Sequence, residues 1–268
     1  MILILLLFPM WQGFSQDEET FEHTWNRFGV RMGGFLTLLN SGVRFGVTEA
    51  TGLQIDIEDA LGLDRSLVVF RTDAYWRFSK NRRHRLDAGY AGYFRSASRV
   101  LEEDIPIGED VIEAGTLVDS DYNIQLIKLL YSWSFVQDNR VDLGIGGGFY
   151  VMPLTLRIDA ETDEVKLQDI TAPLPVFDFR MDFLVTPQTY FRFRLDFFYI
   201  TIDNFTGSIA DYELDYEWRF SKYVGVGVGY ESFNMRIEGS GDGTGLWQPS
   251  GTISTQYNGI IFYGKFYF

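Results

Sequence analysis

From about residue 28 onward, apolar and polar residues alternate with period two, the spacing of a strand with two unlike faces. In "SLVVFRTDAYWRFS", Val68, Phe70, Thr72, Ala74, Trp76 and Phe78 share one face, while Val69, Arg71, Asp73, Tyr75 and Arg77 share the other. The same alternation runs through "HRLDAGYAGYFR", "VFDFRMDFLV", "YFRFRLDFFYI" and "IADYELDYEWRF". It predicts ten strands, at about 28–47, 65–79, 83–98, 117–136, 140–158, 172–185, 189–203, 206–220, 223–238 and 252–268.

Alternation alone also fits a water-soluble sandwich or barrel with its apolar face inward. Three features favour a membrane. The strands run to roughly 14–20 residues, against about 5–6 in soluble sheets. Tyr, Trp and Phe gather at strand ends, as in interfacial girdles. The links alternate between short turns, "KNRR" (80–83), "QDN" (137–139), "TPQ" (186–188) and "SK" (221–222), and longer, mostly acidic stretches at 49–64, 99–116, 159–171 and 239–250. One link on the long side, near Asp203–Gly207, is itself short. The expected fold is therefore all-β: a transmembrane antiparallel up-and-down β-barrel of about ten strands, with short periplasmic turns and longer acidic outer loops.

The chain ends "IIFYGKFYF", and a last strand this apolar needs both a partner and an apolar medium. Pairing it with the first strand closes the barrel and leaves no open edge. Phe268, Phe266, Phe262 and Ile260 then face lipid. This ending resembles the C-terminal signature by which outer-membrane barrels are passed to the barrel assembly machinery, so Phe268, Phe266 and Phe262 are assigned to it.

Composition narrows the choice further. Aromatic residues make up 17% of the 268, which favours strands. With no cysteine there is no disulfide framework and no thiolate metal site. A net charge of -14 argues against nucleic acid as a partner, since phosphate binding needs a basic stripe. No internal apolar run is long enough for a transmembrane helix. The start, "MILILLLFPMWQGFSQDEET", reads as a signal peptide over 1–15, although no Lys or Arg follows Met1. A periplasmic segment over 16–27 and the barrel domain over 28–268 follow. A buried N-terminal strand or a short anchor helix is the other reading of that start.

Several stretches, "IDIEDALGLDRS" (55–66), "YWRFSKNRRHRLDAGY" (75–90), "YSWSFVQDNRVDLGIGGGFY" (131–150), "APLPV" (172–176) and "VGVGVGYESF" (224–233), resemble a family of Gram-negative outer-membrane β-barrel proteins of unassigned function. The resemblance covers most of the mature chain and implies the barrel fold and an outer-membrane location.

If the aromatic face meets lipid, the other face fills the lumen. It carries a charge lattice of Arg71, Asp73, Arg77, Arg85, Asp87, Arg95, Asp178, Arg180, Asp182, Arg192, Arg194, Asp196, Glu213, Asp215, Glu217 and Arg219. Lys128, Asp142, Asp211, Glu231 and Lys265 share that parity. About eight strands enclose a lumen just filled by side chains, whereas open channels belong to about sixteen. Ten should hold paired charges with at most a narrow water path. Gly144, Gly146, Gly148, Gly225, Gly227 and Gly229 fall on the inward parity and leave room for large side chains opposite.

Candidate chemistry is sparse. A Ser-His-Asp site at the outer rim needs a histidine there. The two present are His23, ahead of the first strand, and His84, beside a periplasmic turn. Carboxylates cluster at Asp56, Glu58 and Asp59, at Glu102, Glu103 and Asp104, and at Asp159, Glu161, Asp163 and Glu164, but none has calcium-loop spacing. No metal and no cofactor is expected. The expected function is a non-enzymatic outer-membrane barrel, structural or a narrow porin-like passage for small solutes. Its partners would be outer-membrane lipid, lipopolysaccharide and the assembly machinery. The alternatives are an envelope binding module that uses its acidic loops, and a lipid-acting hydrolase.

Overall fold

The structure, a computed structural model, describes residues 25–44, 55–107, 110–160, 163–202, 205–240 and 250–268. The expected signal peptide and most of the N-terminal segment lie outside these residues, as do His23 and Glu161.

Ten strands form the wall: β1 (Phe28–Arg44), β2 (Ser66–Arg77), β3 (His84–Val100), β4 (Leu117–Gln137), β5 (Val141–Ala160), β6 (Asp163–Thr186), β7 (Thr189–Ile202), β8 (Phe205–Arg219), β9 (Val224–Ser240) and β10 (Ser250–Tyr267). Each is antiparallel to its sequence neighbours, and β10 pairs with β1 from Gly29↔Tyr267 to Arg44↔Thr252. The barrel is therefore closed. No helix among the described residues is long and apolar enough to cross a membrane.

An apolar band girdles the outside. Phe28, Trp76, Phe78, Trp133, Trp218, Phe220 and Phe268 ring the short-turn end, and all are exposed. His84 joins this belt, with Nδ1 2.7 Å from the Tyr131 hydroxyl and its ring stacked on Tyr131. By the short-turn rule this end is periplasmic.

The wall is taller than the membrane. The 24 residues of β6, at normal strand rise and tilt, climb roughly 60 Å, against an apolar band of about 25 Å. The sequence places β6 at 172–185, but β5 and β6 continue upward as one hairpin to Ala160↔Asp163. The 159–171 stretch expected as a loop is thus mostly wall. Two of the other long links hold local structure in their described parts: a short helix, Ile57–Leu61, and a small ribbon pairing Ile105–Ile107 with Asp110–Ile112. The expected link at 239–250 lies almost wholly outside the described residues.

Above the girdle the amphipathic pattern inverts. On β4 the outward residues pass from Trp133, Tyr131 and Leu129 to Gln125, Asn123, Asp121 and Asp119. The inward ones pass from Ser134, Ser132 and Lys128 to Leu126, Ile124 and Tyr122. β5, β8 and β9 switch in the same sense. Within the membrane the outside is apolar and the inside polar. Above it the outside meets water, so the apolar residues turn inward. The charge lattice read from the sequence therefore fills only the lower part of the barrel.

Candidate functional site

The lower lumen is filled by interlocked ion pairs. Asp182 on β6 lies among four arginines: Arg77 at 3.3 Å, Arg85 at 3.2 Å, Arg180 at 3.3 Å and Arg192 at 3.2 Å. Arg77 and Arg180 also hold Asp142, at 2.5 and 3.1 Å. Arg180 donates to the Ser132 and Ser134 hydroxyls at 2.9 and 2.6 Å. Gly144 makes room for it, since a Cβ there would lie 2.8 Å from Arg180 Nε. A second group lies higher. Arg71 reaches Asp73, Glu213 and Glu231, and Lys128 holds Asp211 and Glu231. The Tyr150 hydroxyl donates to Asp196 and Asp211.

The lattice pairs across the lumen more than along neighbouring strands. The sequence pairs Arg192 and Arg194 with the acidic face of β8, and the register does set Arg192 opposite Asp215 and Arg194 opposite Glu213. Of the two, only Arg192 pairs with that face, at Glu217 rather than at its register partner. Arg192 takes Glu217 and Asp182, and Arg194 takes Asp87 at 2.9 Å and Asp178 at 3.2 Å. Glu213 and Asp215 share Arg31, which also binds Asp73 at 2.7 Å, and Glu213 takes Arg71 as well. Sequence reasoning missed Arg31. The signal was there: it stands alone on the inward parity of β1, between Val30 and Met32. Arg95 stands apart from the rest of the predicted set, higher up, and pairs with Glu58. Arg219 closes the bottom, donating to the Tyr190 hydroxyl at 3.0 Å and the Lys222 carbonyl at 2.6 Å.

One space left in the lattice is a cavity of about 50 Å³ lined by Arg31, Asp73, Arg85, Asp87, Arg192 and Arg194 among others. That is room for a few waters. Below it the chain entering β1 crosses the periplasmic mouth. Trp25 Nε1 donates to the Asp138 carbonyl at 2.7 Å, Arg82 donates to the Trp25 carbonyl at 2.6 Å, and Arg219 donates to Asn26 Oδ1 at 2.9 Å.

Above the lattice the lumen is closed by rings. Tyr150, Phe233, Tyr257 and Tyr93 form a row across it, with successive centroids 6.4, 4.7 and 5.1 Å apart. All four are fully buried. Apolar residues such as Phe35, Leu126, Met152, Leu154 and Met235 fill the space around and above them.

The helix Ile57–Leu61 packs against β1 and β3 at the upper end of the lumen. Asp56 caps it, accepting from Asp59 N at 3.0 Å, and Gly62 ends it at φ 72, a conformation that favours glycine. Its Glu58 is turned inward. Glu58 accepts from Arg95 and from the Ser41 backbone N–H at 2.9 Å, and Ile57 and Leu61 are buried beside it. Burial pushes the Glu58 carboxyl up, but the hydrogen bonds from Arg95 and Ser41 outweigh it, and the carboxyl lies below its ordinary value. A depressed carboxylate stabilises the fold above the unfolded pKa, about 4.3 for Glu, and that contribution is lost as pH falls through the folded value. Amides of 57–63 should therefore be protected from hydrogen exchange at neutral pH and lose protection as pH falls below about 4. Glu58→Gln should lose it already at neutral pH, with no further acid step. Protection that ignores both acid and the substitution would reject this anchor.

Among the described residues no three His, Asp or Glu are set to hold a metal ion. Phe268, Phe266 and Phe262 all point outward, at 69%, 43% and 56% exposure.

No family model and no curated protein matches the chain. Its fold does match solved structures. The outer membrane protease OmpT from Escherichia coli aligns over 90% of this chain and 96% of its own, with a TM-score of 0.52 and 11% identity. The translocator domain of the autotransporter NalP from Neisseria meningitidis aligns over 92% and 90%, with 0.41 and 7%. Ail, the attachment invasion locus protein of Yersinia pestis, solved with a heparin analogue, aligns over 89% and 98%, with 0.38 and 9%. At such identities the likeness is one of fold. The closed wall, the apolar girdle around it and the barrel fold shared with OmpT make this chain an integral outer-membrane β-barrel protein.

Proposed function

We propose that the protein is a non-enzymatic outer-membrane barrel that acts as a sealed scaffold rather than as a solute passage. The observation that carries this is the double closure of the lumen. An ion-pair lattice fills the lower half and a packed aromatic layer fills the upper half. The tall, solid upper half favours one use of the scaffold, an envelope binding module that presents its acidic outer links on a rigid stalk. The hydrolase alternative has little support, because the one described histidine, His84, belongs to the periplasmic belt.

Conductance in planar bilayers tests the reading. The purified barrel should show no stable steps at neutral pH. Large, persistent steps comparable with those of general porins would overturn it in favour of a channel.

A further inference from the structure

The wall is not zipped along its whole height. β6 and β7 pair from Thr186↔Thr189 up to Phe177↔Phe197 and no further. Above that point β6 stays paired with β5, and β7 stays paired with β8 up to Ile202↔Phe205. A seam therefore opens between β6 and β7 above Phe177 and Phe197.

The cause is written in "APLPV". Its Pro173 and Pro175 lie across from β5, which carries Pro153, and the N atoms of all three face in known directions. The β4–β5 ladder skips the pairs Gln125–Pro153 and Leu126–Met152, as it must if Pro153 N faces β4. The pairs Pro153↔Thr171, Val151↔Pro173 and Phe149↔Pro175 share one parity in the β5–β6 ladder. In an antiparallel ladder this means that they exchange no hydrogen bonds with each other, so the N atoms of Pro173 and Pro175 face β7. Neither can donate there, so the next two rungs each lack a donor. One such loss at Pro153 only interrupts the β4–β5 ladder, whereas two in succession fall where the β6–β7 ladder ends. On β7 the same parity turns the N–H groups of Tyr199 and Thr201 towards the seam, where no strand receives them.

We infer that this seam is a binding site for an acyl chain of an outer-leaflet lipid. The inner surfaces at the seam are apolar: Leu174 and Val176 are buried, and Phe198 and Ile200 are half-buried against the core. The seam is continuous with the lipid-contacting band. Phe177 and Phe197, their rings 5.7 Å apart and both exposed, lie directly beneath it. Hydrocarbon is therefore the medium at its lower lip. The N–H groups of Tyr199 and Thr201, beside side chains exposed at the surface, can donate to ester or phosphate oxygens at the head of the same molecule. A peptide strand fits less well, because the proline edge offers it no donors at two successive positions. The site is independent of whether the lumen conducts.

Photo-crosslinking in intact outer membranes tests it. A benzophenone amino acid placed at Phe198 or Ile200 should capture a lipid, whose mass tells lipopolysaccharide from phospholipid. The same probe at outward-facing Phe177 is the positive control. Two closures should each cut capture at 198 about tenfold, a loss on the scale of roughly 1.4 kcal/mol of binding. One is Pro173→Val with Pro175→Val, which restores the two donors. The other is a Leu174→Cys/Ile200→Cys disulfide, placed where a continued register would pair them, in a chain that has no other cysteine. Heat-modifiable mobility confirms folding of each variant. Lipid adducts at 177 but at neither 198 nor 200 would overturn the proposal. So would a peptide adduct, a cross-linked second copy, or capture that survives both closures.

Discussion

Replacing Arg192 and Arg194 together by alanine should leave the barrel nearly as silent in planar bilayers as its parent. Adding Phe233→Ala and Tyr257→Ala should open it. The lower seal depends on the two arginines. Arg192 holds Glu217, Asp182 and the Tyr267 hydroxyl, and Arg194 holds Asp87 and Asp178. Without them the 50 Å³ cavity they help to line grows, and carboxylates lose partners. From the charge pattern alone, that change suffices to admit ions. The structure puts a second closure in series above it, the stacked Phe233 and Tyr257 rings at 4.7 Å. A packed apolar layer does not wet, so one open tier beneath one closed tier passes no current. With both tiers cut, conductance should rise by on the order of tenfold over either half-variant. Cations should be favoured, because the surplus lumen charge is negative. Conduction by the arginine variant alone would show that the aromatic layer is no seal. Silence of the quadruple variant, still folded by heat-modifiable mobility, would show that the closure lies elsewhere. The arginine variant should also be less stable, since a buried ion pair broken on one side costs about 3–5 kcal/mol.

The ten strands and the closure of the last on the first were legible because period-two alternation survives wherever one face of a strand meets lipid. The inward placement of Arg77, Asp182 or Glu217 follows from the same parity. What was harder to read is the change of sense partway up. "NIQLIKLLYSWSF" keeps its period, but its apolar residues move from the odd positions Leu129, Tyr131, Trp133 and Phe135 to the even positions Ile124 and Leu126. An inversion of this kind marks where the wall leaves the membrane, and Tyr150-Met152-Leu154-Leu156-Ile158 repeats it on β5. Partner choice within the lattice was not legible. Register fixes which residues face one another across a ladder. Long arginine side chains, however, reach over the lumen, so Arg31 finds Glu213 from the far side of the sequence. Glu58 was hidden for a related reason. In an acidic link it resembles Asp56 and Asp59, and only the turn of one short helix sends it inward to Arg95.

Phe268 and Tyr267 are adjacent, yet their substitution should produce opposite patterns. Phe268 is 69% exposed on the lipid side, and its backbone closes the barrel through Phe268 N to Phe28 O at 2.9 Å. Its side chain touches little beyond the Phe28 ring, 5.7 Å away. At the periplasmic interface a charged residue costs only about 1 kcal/mol or less. Phe268→Asp should therefore refold in detergent with stability close to the parent. If the terminal phenylalanine is the mark read by the assembly machinery, the same variant should nevertheless lose most of its folded barrel in cells. Tyr267 is buried. Its hydroxyl donates to Glu217 and accepts from Arg192 at 3.0 Å, and the Arg219 guanidinium lies 4.1 Å over its ring. Tyr267→Phe keeps the ring but removes one hydrogen bond from each of two buried charged groups, which keep their ion pair with each other, a loss of about 1.5–3 kcal/mol. It should unfold at lower denaturant in vitro and still reach the membrane in normal amount. The two readouts are the urea midpoint of the purified barrel and the heat-modifiable fraction in outer membranes. If Phe268→Asp lowers both in proportion, its role is ordinary stability and the signature is absent. If Tyr267→Phe leaves the midpoint unchanged, the Glu217–Tyr267–Arg192 contact does not help to hold the lower lattice.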